Sequence, residues 1–85
     1  MGLTITYFAW VRERMGTAEE KVDVPVGVTD VGALVAWLTA RDARGALAFA
    51  EPQRIRVAID GVMLGLGAPL AGAREVALFP PVTGG

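Results

Sequence analysis

One stretch, Thr29 to Asp42, carries a helical period, and it limits what the rest of the chain can build. Val31, Leu34, Val35 and Leu38 fall at i, i+3, i+4 and i+7, a single apolar stripe. Thr29 or Asp30 caps its start, and Asp30 and Arg41 suit the two ends of the helix dipole. Gly32, a poor helix former, predicts a loose first turn, and Trp37 sits beside the stripe as a flanking core contact. The other patterned segments alternate with period two. A lone helix among strands can cover one face of a small sheet, which predicts an α+β fold of two layers.

The strands follow from alternation. Leu3 to Trp10 reads as the first, with Leu3, Ile5 and Tyr7 on one face and Thr4, Thr6 and Phe8 on the other. Arg12 to Thr17, polar and containing Gly16, reads as a turn, and Glu20 to Val24 as the second strand of a hairpin. Val22 and Val24 point inward there, Lys21 and Asp23 outward. After the helix, Gly45 breaks the pattern, and Ala46 to Ala50 fits either a short helical turn or an extended link. Ile55 to Ile59 is a strand with Ile55, Val57 and Ile59 inward, and Asp60-Gly61 signals a type I′ hairpin turn returning through Val62 to Leu64. Gly65 to Gly72 is a loop. Glu75 to Phe79 is the last strand, with Val76 and Leu78 facing the core.

A first hairpin, a crossover helix and a final strand suit a β-grasp arrangement. In it the first and last strands lie parallel and central, joined by a right-handed crossover. The final strand then leaves from the middle of the sheet. Phe8, Ala77 and Phe79 share the helix-free face, where Met63 joins them. Clustered aromatic and Met side chains beside a chain exit point to a protein partner.

Composition excludes much chemistry. The 85 residues make one domain, 53% hydrophobic and 20% charged, without cysteine or histidine. Disulfides, Cys/His zinc sites, cysteine nucleophiles and Ser-His-Asp triads are therefore impossible. The net charge of −1 with eight scattered cations argues against nucleic acid as the main partner. Nothing reads as a membrane span or a secretory signal, and a reducing cytoplasm is the expected setting.

The last residues are Phe79-Pro80-Pro81-Val82-Thr83-Gly84-Gly85. The proline pair cannot donate ladder hydrogen bonds, so it ends the strand and turns the chain off the sheet. Residues 1–81 are expected to form the domain and 82–85 a thin tail of roughly 13 Å, at ~3.3 Å per residue. Gly84 and Gly85 lack Cβ atoms and suit a narrow channel. Terminal glycines alone are weak grounds, because chain ends commonly fray.

With Tyr7-Phe8-Ala9-Trp10-Val11-Arg12-Glu13, Gly16-Thr17 and the segment Glu75 to Gly85, the chain resembles the small subunit of molybdopterin synthase. That family, often called MoaD, comprises ubiquitin-like sulfur carriers, and its Phe-Pro-Pro-Val-Thr-Gly-Gly ending is absent from ubiquitin. Arg44 to Gln53 matches poorly, and Asp60 stands where the family often has Asn. The resemblance implies that an ATP-dependent activating enzyme adenylates Gly85 and that sulfur from a donor protein converts the product to a thiocarboxylate. The tail, Val82, Thr83 and Gly84 with Gly85, would then enter the large synthase subunit and deliver sulfur to the molybdopterin precursor. It also implies Phe8, Met63, Phe79 and Pro80 as the partner surface, two small plus two large subunits, and no cofactor or metal. Catalytic residues would belong to the large subunit, and none is assigned here. Alternatives are a β-grasp carrier for thiamin, cysteine or RNA thiolation, a ubiquitin-like protein modifier, or an interaction module with an accidental Gly-Gly.

Overall fold

The computed structural model describes residues 2–81. Five strands form one mixed sheet: β1 (Gly2–Tyr7), β2 (Glu19–Asp23), β3 (Arg56–Ile59), β4 (Val62–Leu64) and β5 (Glu75–Phe79), in the spatial order β2-β1-β5-β3-β4. β1 and β5 are central and parallel, and every other pair is antiparallel. This is the expected β-grasp layout. Three helices, α1 (Ala9–Met15), α2 (Val31–Arg41) and α3 (Ala43–Ala48), pack on one face, with a 3₁₀ turn at Pro52–Arg54. The helix layer therefore holds three helices, not one. Among the described residues no helix is long and apolar enough to cross a membrane.

Alternation fixes which side chains meet the helices. Leu3, Ile5, Tyr7, Val57, Ile59, Val76 and Leu78 are buried with Val31, Leu34, Val35 and Leu38 of α2. Asp30 is the N-cap of α2, its Oδ1 accepting from the Ala33 N–H at 2.8 Å. The first turn is not loose. Val31 N–H donates to Ala68 O and Gly32 N–H to Leu66 O, so the 65–72 loop takes up amides that a helix start leaves open. A Cβ on Gly32 would come within 3.3 Å of Leu66 O, so glycine here admits the loop rather than loosening the helix.

Two further expectations need correction, and one open choice is settled. The first strand stops at Tyr7, and the connection to β2 contains α1 where the sequence predicts a turn at Arg12 to Thr17. Val11 and Met15 lie at i and i+4 and are fully buried, which drives the helix. Gly16 ends it in the left-handed conformation, φ 76°, donating to Arg12 O. Next, Gly45 does not break structure; it lies inside α3 and is buried. A Cβ there would stand 1.8 Å from Leu38 O, so only glycine lets α3 approach α2 this closely. Asp42 ends α2 and caps α3, accepting from Gly45 N–H at 3.0 Å. Finally, the open choice at Ala46 to Ala50 resolves as the end of α3 followed by Phe49, whose ring is buried in the core.

The Asp60-Gly61 turn has positive φ at both residues, 48° and 86°, as a type I′ turn requires. The Asp60 carboxylate also accepts from Glu75 N–H at 2.9 Å and from Arg74 N–H at 3.2 Å. It thereby ties the β3–β4 hairpin to the start of β5.

Candidate partner face and tail root

The residues expected to act together lie around the end of β5. On the face away from the helices, the register aligns Thr6, Ala77, Ala58 and Met63 across β1, β5, β3 and β4. The middle of this row has small side chains, and Met63, 61% exposed, stands at its edge. Val62 and Leu64 pair with Ile59 and Val57, so alternation turns them to the other face at the same edge.

Phe79 lies one step beyond Leu78 and pairs with Arg56. Phe8 follows Tyr7, which is in register with Leu78, and the Phe8 N–H donates to Leu78 O at 3.2 Å. Phe8 is still extended, φ −129° and ψ 156°, so it turns away from buried Tyr7 and is 50% exposed. The chain then swings at once into α1 through Ala9, whose φ of 53° is unusual for a residue with a Cβ. Phe8 is thus the last extended residue before a sharp bend, not the interior of a longer strand. Phe79, Pro80 and Pro81 are half-buried. The structure places Phe8 and Phe79 on one face at the exit of β5, with Met63 farther along it. Val82, Thr83, Gly84 and Gly85 lie outside the described residues.

A polar network on the helix side holds this end of β1. The Tyr7 hydroxyl donates to Glu20 Oε2 at 2.6 Å, and the Arg41 Nη2 donates to the same oxygen at 2.8 Å. Burial, followed by the bond to Glu20, pushes the Tyr7 phenol well above its usual range. The hydrogen bond from Arg41 holds the Glu20 carboxyl below the usual carboxylate value. Arg41 in turn is raised, chiefly by Glu20, and its guanidinium lies 5.3 Å from the Trp37 ring centroid. The network pins the Tyr7 ring beneath the sheet and so sets the direction of Phe8. It was legible only in part: Glu20 shares the parity of Val22 and faces the helices, but its partners lie 13 and 21 residues away.

Sequence reasoning missed a second cluster entirely. Arg14 stacks over Trp10 at 4.3 Å from the ring centroid, and Arg54 approaches the same ring at 5.9 Å. The spacing of Trp10 and Arg14, i and i+4, was the available signal, hidden because this stretch reads as strand and turn. Among the described residues no group of three or more carboxylates could hold a metal.

The ThiS family matches residues 5–85, nearly the whole chain. This chain belongs to the ThiS family. Within the curated proteins, the molybdopterin synthase sulfur carrier subunit of Escherichia coli K12 is 36% identical, aligned over 98% of this chain and 99% of the relative. In three dimensions, SAMP1 (small archaeal modifier protein 1) of Haloferax volcanii covers all of both chains with a TM-score of 0.72 and 29% identity. A protein–protein complex of subunits 1 and 2 of molybdopterin-converting factor from Helicobacter pylori also matches over both full lengths. Its TM-score is 0.62 at 19% identity, a likeness of fold. These neighbours share the ubiquitin-like β-grasp layout of this ThiS-family chain.

Proposed function

We propose that this chain is the sulfur carrier subunit of a molybdopterin synthase. The observation that carries the reading is the 36% identity to the E. coli sulfur carrier subunit along almost the entire length of both proteins. Residues 1–81 serve as the rigid body and 82–85 as the tail. An activating enzyme transfers AMP from ATP to the Gly85 carboxylate with release of pyrophosphate, which gives that poor electrophile a good leaving group. Sulfide-level sulfur supplied by a donor protein attacks the acyl carbon, the acyl C–O bond to AMP breaks with AMP taking the electron pair, and a thiocarboxylate remains. The charged tail enters the large synthase subunit and donates sulfur to the molybdopterin precursor, with acids and bases provided by that subunit.

The chemistry suits the chain. A thiocarboxylate carries nucleophilic sulfur without any cysteine, and the chain has none. A side-chain-free Gly84-Gly85 tip can enter a site that excludes water. β5, clamped between β1 and β3, gives the tail a fixed origin. Phe8, Met63, Phe79 and Pro80 form the apolar docking surface beside that origin.

The test is the intact mass of the chain after incubation with ATP, the activating enzyme and a sulfur donor. The C-terminal peptide should gain the oxygen-to-sulfur mass difference. Sulfur elsewhere, or none under conditions that charge a related carrier, overturns the reading. The likeness to SAMP1 favours a second reading, attachment of Gly85 to lysines of other proteins. Its signature would be an isopeptide-linked ladder in cells, and Lys21 is the chain's one lysine through which copies of itself could be joined side chain to tail.

A further inference from the structure

Charge is not evenly spread around the exit of β5. α1 follows Phe8 and carries Arg14 in its last turn, and the 3₁₀ turn ending at Arg54 leads into β3, whose first residue, Arg56, lies opposite the end of β5. Arg14 and Arg54 share the Trp10 ring, and Arg56 is in register with Phe79. All three are exposed, and none forms an ion pair with a carboxylate among the described residues. Arg41 and Arg44, by contrast, are each ion-paired, with Glu20 and Asp42 respectively. Arg56 donates to the Gln53 and Ile55 carbonyls, neutral acceptors that bring it no negative charge. Three such cations therefore collect at one end of a chain whose net charge is −1.

Their arrangement matters as much as their number. Stacking two guanidiniums against one indole orders both side chains while they still repel each other. Ordered, weakly hydrated guanidinium groups with free N–H donors match carboxylates in bidentate geometry. Glu13 and Glu51, the acidic residues nearest Arg14 and Arg54 in sequence, and Asp60, nearest Arg56, lie outside ion-pair distance of them.

We propose that Trp10, Arg14 and Arg54, with Arg56 two residues further along the chain, form a cationic rim that steers this end of the sheet onto a partner carrying an acidic patch beside, not around, the channel that takes the anionic tail. The inference rests on the sulfur-carrier reading and names the large subunit of molybdopterin synthase as that partner. The rim is continuous with the proposed apolar surface but has a different task. Phe8 and Phe79 hold the complex once formed. The arginines act at a distance, raising the rate of encounter and aligning the tail before contact.

The experiment is stopped-flow association of the full chain with the large subunit of the same organism, from about 0.05 to about 0.5 M NaCl. R14E/R54E should lower the association rate at low salt about tenfold and flatten its salt dependence. R14Q/R54Q should fall between that variant and the native chain. Phe79→Ala should raise the dissociation rate and leave the salt slope as in the native chain. R54E and R74E change net charge equally, but Arg74 lies next to the start of β5, at the far end of the sheet. R54E should therefore associate more slowly, and R74E like the native chain. Thermal melts of every variant confirm that it is folded. A native rate and slope in R14E/R54E, an equal loss in R54E and R74E, or a loss seen only toward the activating enzyme overturns the rim. If the native chain forms no complex with the large subunit at any salt, the sulfur-carrier reading falls and takes the rim with it.

Discussion

Gly45 shows how one residue can be read correctly as unusual and wrongly as to why. Glycine disfavours a helix, and from sequence that marks a break. Here the backbones of α2 and α3 come so close that the missing side chain is the requirement, because a Cβ would stand only 1.8 Å from Leu38 O. A backbone carbonyl cannot rotate aside as a flexible side chain can, so Gly45→Ala must push the two helices apart. The expected cost is about 3 kcal/mol, measured as a shift in urea midpoint, despite alanine's better helix propensity. A stabilised Gly45→Ala would show that the helices have room to spare. Phe79 and Leu78 are the opposite case. Their faces followed from alternation alone because a strand's period is two and β5 has no bulge, so Leu78 is buried and Phe79 lies on the open side. Glycine has no such periodic neighbour to reveal its role.

At the scale of elements, every strand was legible and the short helices were not. A seven-residue helix offers two buried positions, Val11 and Met15, too few for a period to stand out. The bend that starts α1 depends on Ala9 in a left-handed conformation, which its residue type does not advertise. α3 was obscured because its buried face consists of Gly45 and Ala48, small residues that carry little hydrophobic signal. The link between β2 and α2 is likewise tertiary, and its pH dependence tests it. Glu20 is depressed below its usual 4.5, chiefly by the bond from Arg41. A depressed folded value means the carboxylate favours folding above its unfolded pKa, and this contribution is lost as pH falls through the folded one. Native stability should therefore drop on acidification below about pH 4.5. Glu20→Gln should be weaker by about 1 kcal/mol at neutral pH and lose less over the same acid range. Parallel curves for the two proteins in urea titrations would remove Glu20 from the account.

For the whole molecule, the proposed chemistry calls for a tail set apart from the folded body. The body's core is complete by Leu78, and Phe79 to Pro81 form a half-buried transition. Deleting Gly85, or adding one bulky residue after it, should abolish sulfur transfer while changing unfolding free energy by less than ~0.5 kcal/mol. Transfer at the native rate from either variant would show that Gly85 is not the working group. The sheet order has a mechanical side as well. β1 and β5 run in the same direction next to each other, with β3 on the other flank of β5. Tension applied beyond Pro81 and resisted at Gly2 would draw the two strands past one another along their length. Their hydrogen bonds would then bear the load together instead of opening one at a time, as they do when an edge strand is peeled. A machine that seizes this protein by its tail would be pulling on the part of the fold best built to resist it.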